Sequence, residues 1–188
     1  MRIVDVDENI INRLRNSGLT DMIKSFALCD FLLLEEQDGK IVGVGGIGGL
    51  FHITSLEIVN SFQGKGLGKI MFDKLINETK KRGYSFISGF RDPENVRVIK
   101  IENNQGWKPI FRIHYSSDMI REIVILVLKP RGKIVAGFLS AFNNIIGITL
   151  LACVLKIAKP LFKNVLAYTP KEVPNLSIKL VIKNFKKI

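Results

Sequence analysis

The sequence predicts a mixed α/β domain followed by a hydrophobic, basic extension, on three observations. Runs with the two-residue alternation of strands are interleaved with segments whose apolar residues recur at helical spacing. At 47% apolar residues, with 12 Phe and a mean hydropathy of +0.21, the chain can bury a real core, which excludes a disordered polymer. Charge divides unevenly: residues 1–129 carry 18 Lys/Arg against 16 Asp/Glu, while residues 130–188 carry 10 against one, Glu172. A length of 188 residues suits one ordinary domain with an appendage. No glycine triplet period or longer repeat points to a fibre or solenoid. Cys29 and Cys153 lie far apart without His neighbours. They make neither a zinc site nor a disulfide framework; no metal and a reducing compartment are expected.

The elements follow in order. Residues 2–6 (RIVDV) alternate as an opening strand. Asp7 then caps a helix over residues 8–16, with Ile10, Ile11 and Leu14 at helical spacing. Gly18 ends it, and Thr20 or Asp21 starts a second short helix reaching residue 27. Residues 31–36 and 41–44 flank Asp38-Gly39, a hairpin signal. Residues 51–59 read as a strand running into a loop over 60–68. Ile70, Met71, Leu75 and Ile76 make residues 70–81 an amphipathic helix ended by Gly83. A strand over 84–90, a short helix over 94–103 and a strand pair over 108–115 and 121–128 complete the domain. Pro130 and Gly132 break any running strand, which places a boundary after residue 129.

One loop carries most of the chemical information. Gln63, Gly64, Lys65, Gly66, Leu67, Gly68 and Lys69 sit between a strand and a helix. Alternate glycines allow positive φ and let backbone N–H groups approach a ligand. The helix N-terminus adds partial positive charge, and the two lysines add full charges. The combination is an anion cradle suited to a pyrophosphate. It lacks the Gly-Lys-Ser/Thr ending that holds magnesium in a nucleotide P-loop. Gly43, Gly45 and Gly48 also match G-x-G-x-x-G, but a strand pattern follows instead of a helix. That run reads as a glycine-rich strand end.

Residues 56–69 (LEIVNSFQGKGLGK) resemble motif A of the GNAT superfamily of N-acetyltransferases, whose core is Q/R-x-x-G-x-G/A; Gln63, Gly66 and Gly68 occupy its positions. Residues 95–107 (NVRVIKIENNQGW) are similar to the family's N-x-x-A-x-x-L-Y-x-x-x-G-F segment, with Asn95, Val98, Ile101, Gly106 and Trp107 in register. The resemblance covers residues 1–129. It implies a mixed, mostly antiparallel central sheet flanked by helices, with acetyl-CoA as co-substrate in an opening between the fourth and fifth strands. Carried over by position, Ile58, Val59 and Asn60 would offer backbone to pantetheine. Gln63 through Lys69 would hold pyrophosphate, and Asn95 would contact the cofactor.

The implied chemistry is direct transfer of an acetyl group to a primary amine. An amine of ordinary pKa, about 10.4 for lysine, is protonated at neutral pH, so a base is needed. Many members place a Glu eleven residues before the Q/R; that position is His52, whose neutral imidazole could serve or could merely pack. The family's acid, a Tyr seven residues after the Asn, falls on Glu102. Tyr115 is a substitute donor, in a region resembling the substrate-side hairpin of ribosomal and N-terminal acetyltransferases, which favours a protein N-terminus or lysine over a small-molecule amine as acceptor. A different class is also open: a non-catalytic CoA-binding sensor or scaffold, tethered by its tail, which Glu102 in place of Tyr keeps in view.

The tail combines apolar and basic character. Residues 134–155 run uncharged between Arg131, Lys133 and Lys156, Lys159. As a helix they would reach about 33 Å, enough for a hydrocarbon core of about 30 Å. Asn143 and Asn144 near the middle argue against spanning. Ile178, Val181, Ile182 and Phe185 oppose Lys179, Lys183 and Lys186 in a basic amphipathic pattern. An anionic membrane surface, a homodimer or buried extension, and last a nucleic acid are the partners this allows. The acidic, strand-like start carries no signal-peptide pattern, so a cytoplasmic domain is expected.

Overall fold

The computed structural model describes residues 1–19, 23–49, 52–114 and 120–141, with 146, 147 and 150. Two compact units divide the chain, Met1–Ile87 and Ser88–Ile188. In the first run β1 (Arg2–Val4), α1 (Glu8–Asn16), α2 (Ile23–Phe26), β2 (Cys29–Gln37), β3 (Lys40–Gly48), β4 (Ile53–Ile58), a 3-10 turn (Asn60–Phe62) and α3 (Leu67–Lys81). β5 (Phe86–Arg91) bridges the division in sequence, and α4 (Val96–Asn104), β6 (Lys108–His114), β7 (Ile120–Val127) and α5 (Pro130–Ala141) follow. Seven strands with flanking helices match the predicted order of elements, and the fold is mixed α/β. Tyr115, the residues beyond 150 and the basic stretch at 178–186 lie outside the described residues.

Local chemistry explains the elements of the first unit. Asp7 Oδ1 accepts from the Ile10 N–H at 2.7 Å and starts α1. Ile10, Ile11 and Leu14 then face a core with Phe26, Leu32, Leu34 and Val44. β1, β2, β3 and β4 pair antiparallel in sequence order. Asp38 and Gly39 both have positive φ, 50° and 75°, the two-residue turn whose twist matches a hairpin.

The glycine run departs from the expected strand end: β3 continues through it to Gly48. A Cβ at Gly43 would lie 2.7 Å from Met71 Sδ, and one at Gly46 2.6 Å from Cys29 Sγ. Glycine is therefore demanded on both faces, by α3 on one and by the start of β2 on the other.

In the second unit the strand order is β5-β7-β6, with β6 and β7 antiparallel. Trp107, Ile110, Val124 and Ile125 are buried there. Pro130 opens α5, where its missing N–H costs nothing, and α5 packs on β6 and β7.

Candidate functional site

The glycine loop forms where β4 ends. Gln63 Nε2 donates to Ile58 O at 2.8 Å and to Asn60 Oδ1 at 3.0 Å, closing the 3-10 turn. Val59 N–H donates to Val42 O at 3.0 Å. These bonds bind Ile58, Val59, Asn60 and Gln63 to one another and to the neighbouring strand.

Gly64 and Gly66 have φ of 77° and 80°, the left-handed region, and a Cβ at either would meet nothing within 4 Å. Both therefore face open space. Gly66 is the N-cap of α3 and offers no side-chain acceptor, so the N–H groups of Leu67, Gly68 and Lys69 have no partner within the helix. Gly68 does different work: its Cβ would lie 3.3 Å from Ile58 Cδ1, so it sets how closely α3 approaches β4. Outward N–H groups, a helix dipole and open space fit the phosphates of a CoA thioester. The lysines are less committed to the cradle than their sequence positions suggest. Lys69 Nζ pairs with Asp73 at 2.9 Å, and Lys65 Nζ lies 5.1 Å from the Phe62 ring centroid.

At the other end of β4, His52 precedes the strand with φ of 49°. Its N–H donates to Gly49 O at 3.0 Å. The ring meets Tyr84 edge-on at 4.7 Å between centroids and Phe86 at 5.1 Å. Nδ1 is buried with no hydrogen-bond partner among the described residues. Burial pushes the imidazole pKa below its ordinary value, against an opposing pull from Asp30. The Tyr84 hydroxyl donates to Asp30 Oδ2 at 2.6 Å. Burial and that acceptor raise the phenol pKa to about 12. Sequence reasoning found His52 but missed Asp30, Tyr84 and Phe86. The only signal was the two-residue spacing of Tyr84 and Phe86, which puts both on one face of the expected strand over 84–90, although β5 itself opens at Phe86.

Asn95 and Glu102 belong to the second unit, and both have structural partners. Asn95 Oδ1 caps α4 by accepting from Val98 N–H at 3.2 Å. Glu102 is 6% exposed, and its Oε2 accepts from Arg91 Nη1 at 3.0 Å. Arg91 Nε also donates to Glu122 Oε2 at 2.7 Å, and Arg112 Nη2 lies 2.7 Å from Glu122 Oε1. Burial raises the Glu102 pKa, with Arg91 opposing. Its carboxylate is thus one corner of a buried, charge-balanced network.

Residues 9–90 match the family model described as an acetyltransferase (GNAT) domain. The fold is similar to the ribosomal-protein-S18-alanine N-acetyltransferase of Escherichia coli, at a TM-score of 0.55 and 16% identity, covering 68% of this chain and 94% of that one. A ribosomal-protein-alanine N-acetyltransferase from Brucella melitensis matches at 0.51 and 14% identity, over 68% of this chain and all of its own. A Salmonella typhimurium protein solved with its cofactor acetyl-CoA matches at 0.51 and 16% identity, over 69% of this chain and 94% of that one.

Proposed function

From the premise that the chain carries a GNAT acetyltransferase domain, we propose that it moves an acetyl group from acetyl-CoA to a primary amine, with a protein N-terminal amine as the first acceptor class. The observation that carries the reading is the opening of α3: two left-handed glycines facing open space, and a helix N-terminus without a side-chain cap. Leu67, Gly68 and Lys69 would hold the pyrophosphate through their N–H groups. The acceptor class draws support from the two relatives named for ribosomal-protein alanine.

When bound, acetyl-CoA supplies a thioester carbonyl open to attack. His52 takes the proton that the attacking amine must lose, and burial keeps its ring neutral for that task. Tyr84 and Phe86 hold the ring in place. Glu102 serves the network around Arg91, which leaves Tyr115 or solvent to protonate the departing thiolate. That same commitment of Glu102 favours one alternative, a CoA-binding module without turnover.

Calorimetric titration with acetyl-CoA, and separately with CoA, tests the reading. Saturable binding that Gly66→Val abolishes is expected. Turnover on N-terminal peptides that His52→Ala removes, with binding retained, then separates the enzyme from the binding module. A folded chain that binds neither ligand refutes both.

A further inference from the structure

The second unit ends in a helix with an unusual outer side. On the inner side of α5 Gly132 is buried and Val135, Ala136 and Leu139 are half-buried, and the helix lies against β6 and β7. Facing outward are Ile134, 74% exposed, and Phe138 one turn later, 62% exposed. Beyond α5, Ile146 and Leu150 are 81% and 55% exposed. Half of the large hydrophobic side chains that stand exposed among the described residues fall in this one segment. Apolar groups gathered in this way mark a surface that is covered in use.

Charge identifies what covers it. Arg131 and Lys133 stand exposed on the first turn of α5, beside Ile134. Residues 130–188 together carry 10 Lys/Arg against the single Glu172. A second copy of the same face would bring like charge against like. A nucleic acid would satisfy the charge but leave the isoleucines and leucine in water. An anionic lipid surface satisfies both at once, with phosphates and carboxylates for the cations and the headgroup–acyl boundary for the side chains. Among the described residues no helix is long and apolar enough to cross a membrane.

We propose that α5 and the residues just beyond it dock on an anionic lipid bilayer, Ile134 and Phe138 of α5 and, beyond it, Ile146 and Leu150 entering the interface while Arg131 and Lys133 meet acidic headgroups. This does not depend on acetyl transfer.

Flotation of the full chain tests it, using phosphatidylcholine vesicles with and without phosphatidylserine, at low and high salt. Binding only to the anionic vesicles, weakened by salt, is expected. Arg131→Gln with Lys133→Gln should weaken it by about 25-fold, about fivefold for each cation removed. Ile134→Ser with Ile146→Ser should weaken it independently of salt. Circular dichroism and CoA titration report whether each variant is folded, since none of these residues belongs to the cradle. Equal binding to neutral vesicles, absence of binding by folded chain, or anionic binding that survives all four substitutions overturns the proposal. So does a lipid-free dimer that Ile134→Ser breaks, which would assign the face to a second copy.

Discussion

Replacing Arg91 with Leu removes the centre of the charge network in the second unit. The guanidinium makes two charge-assisted bonds, 2.7 Å to Glu122 and 3.0 Å to Glu102. Glu122 keeps Arg112 as a partner, but the bond that Glu102 Oε2 accepts from Arg91 is lost while Glu102 stays buried. Breaking a buried pair from one side costs about 3–5 kcal/mol, whereas the packing regained by a leucine offsets about 1 kcal/mol of it. A net loss of about 3 kcal/mol is a large share of the about 5–15 kcal/mol that holds a domain together. The loss depends on pH. Burial already raises the Glu102 pKa, and without Arg91 to oppose it the rise is larger. A carboxyl whose folded pKa exceeds its unfolded value favours the folded state below the unfolded pKa and stops doing so as pH rises through the folded one. The deficit of Arg91→Leu should therefore grow from pH 5 to pH 7. Urea unfolding followed by fluorescence of Trp107, the single tryptophan and itself buried in this unit, reads the change where it occurs. Adding Glu102→Leu should recover most of the stability. A loss under about 1 kcal/mol, or a deficit independent of pH, would show that the carboxylates are solvated and the argument wrong.

Three further outcomes are expected. Gly66→Ala meets no steric obstacle but must hold a Cβ at φ of 80°, so a thermal melt should report about 1–2 kcal/mol lost, with weakened CoA binding. The His52 ring, followed by NMR, should titrate below an ordinary histidine, and Asp30→Asn should move it lower still by removing the one upward pull. Because its folded pKa is depressed, its contribution to stability is complete above the ordinary histidine pKa and declines as pH falls from there toward the folded value; a midpoint at or above the ordinary value would contradict the burial argument. Gly46→Val, which forces a side chain against Cys29 and Leu32, should destabilise by about 1–3 kcal/mol or more in urea unfolding, with no direct effect on the cradle.

The order of elements was legible because each rests on chemistry local to it. Asp7 caps a helix from three residues away, and Asp38-Gly39 turns a hairpin by its own φ preferences. The geometry of the candidate cradle was legible for the same reason, since Gly64, Gly66 and the start of α3 are neighbours in the chain. Some local signals had two meanings. Pro130 can stop a strand or open a helix, and here it opens α5; the glycines of β3 read as a strand end until α3 and β2 are seen pressing on both faces.

What the sequence could not contain is the company of its charged and titratable groups. Glu102 falls where the sequence resemblance expects a tyrosine, and only folding brings Arg91 and Glu122 to it, from eleven residues before and twenty after. His52 matches a family position by spacing, yet its neutrality comes from the rings of Tyr84 and Phe86 and from burial, set against the Asp30 carboxylate. Period, caps and turns act over a few residues, so the sequence alone determined the α/β order and the glycine-rich opening of α3. Desolvation and pairing depend on contacts across tens of residues, so the tertiary structure alone decided which carboxylate is structural and which imidazole stays neutral.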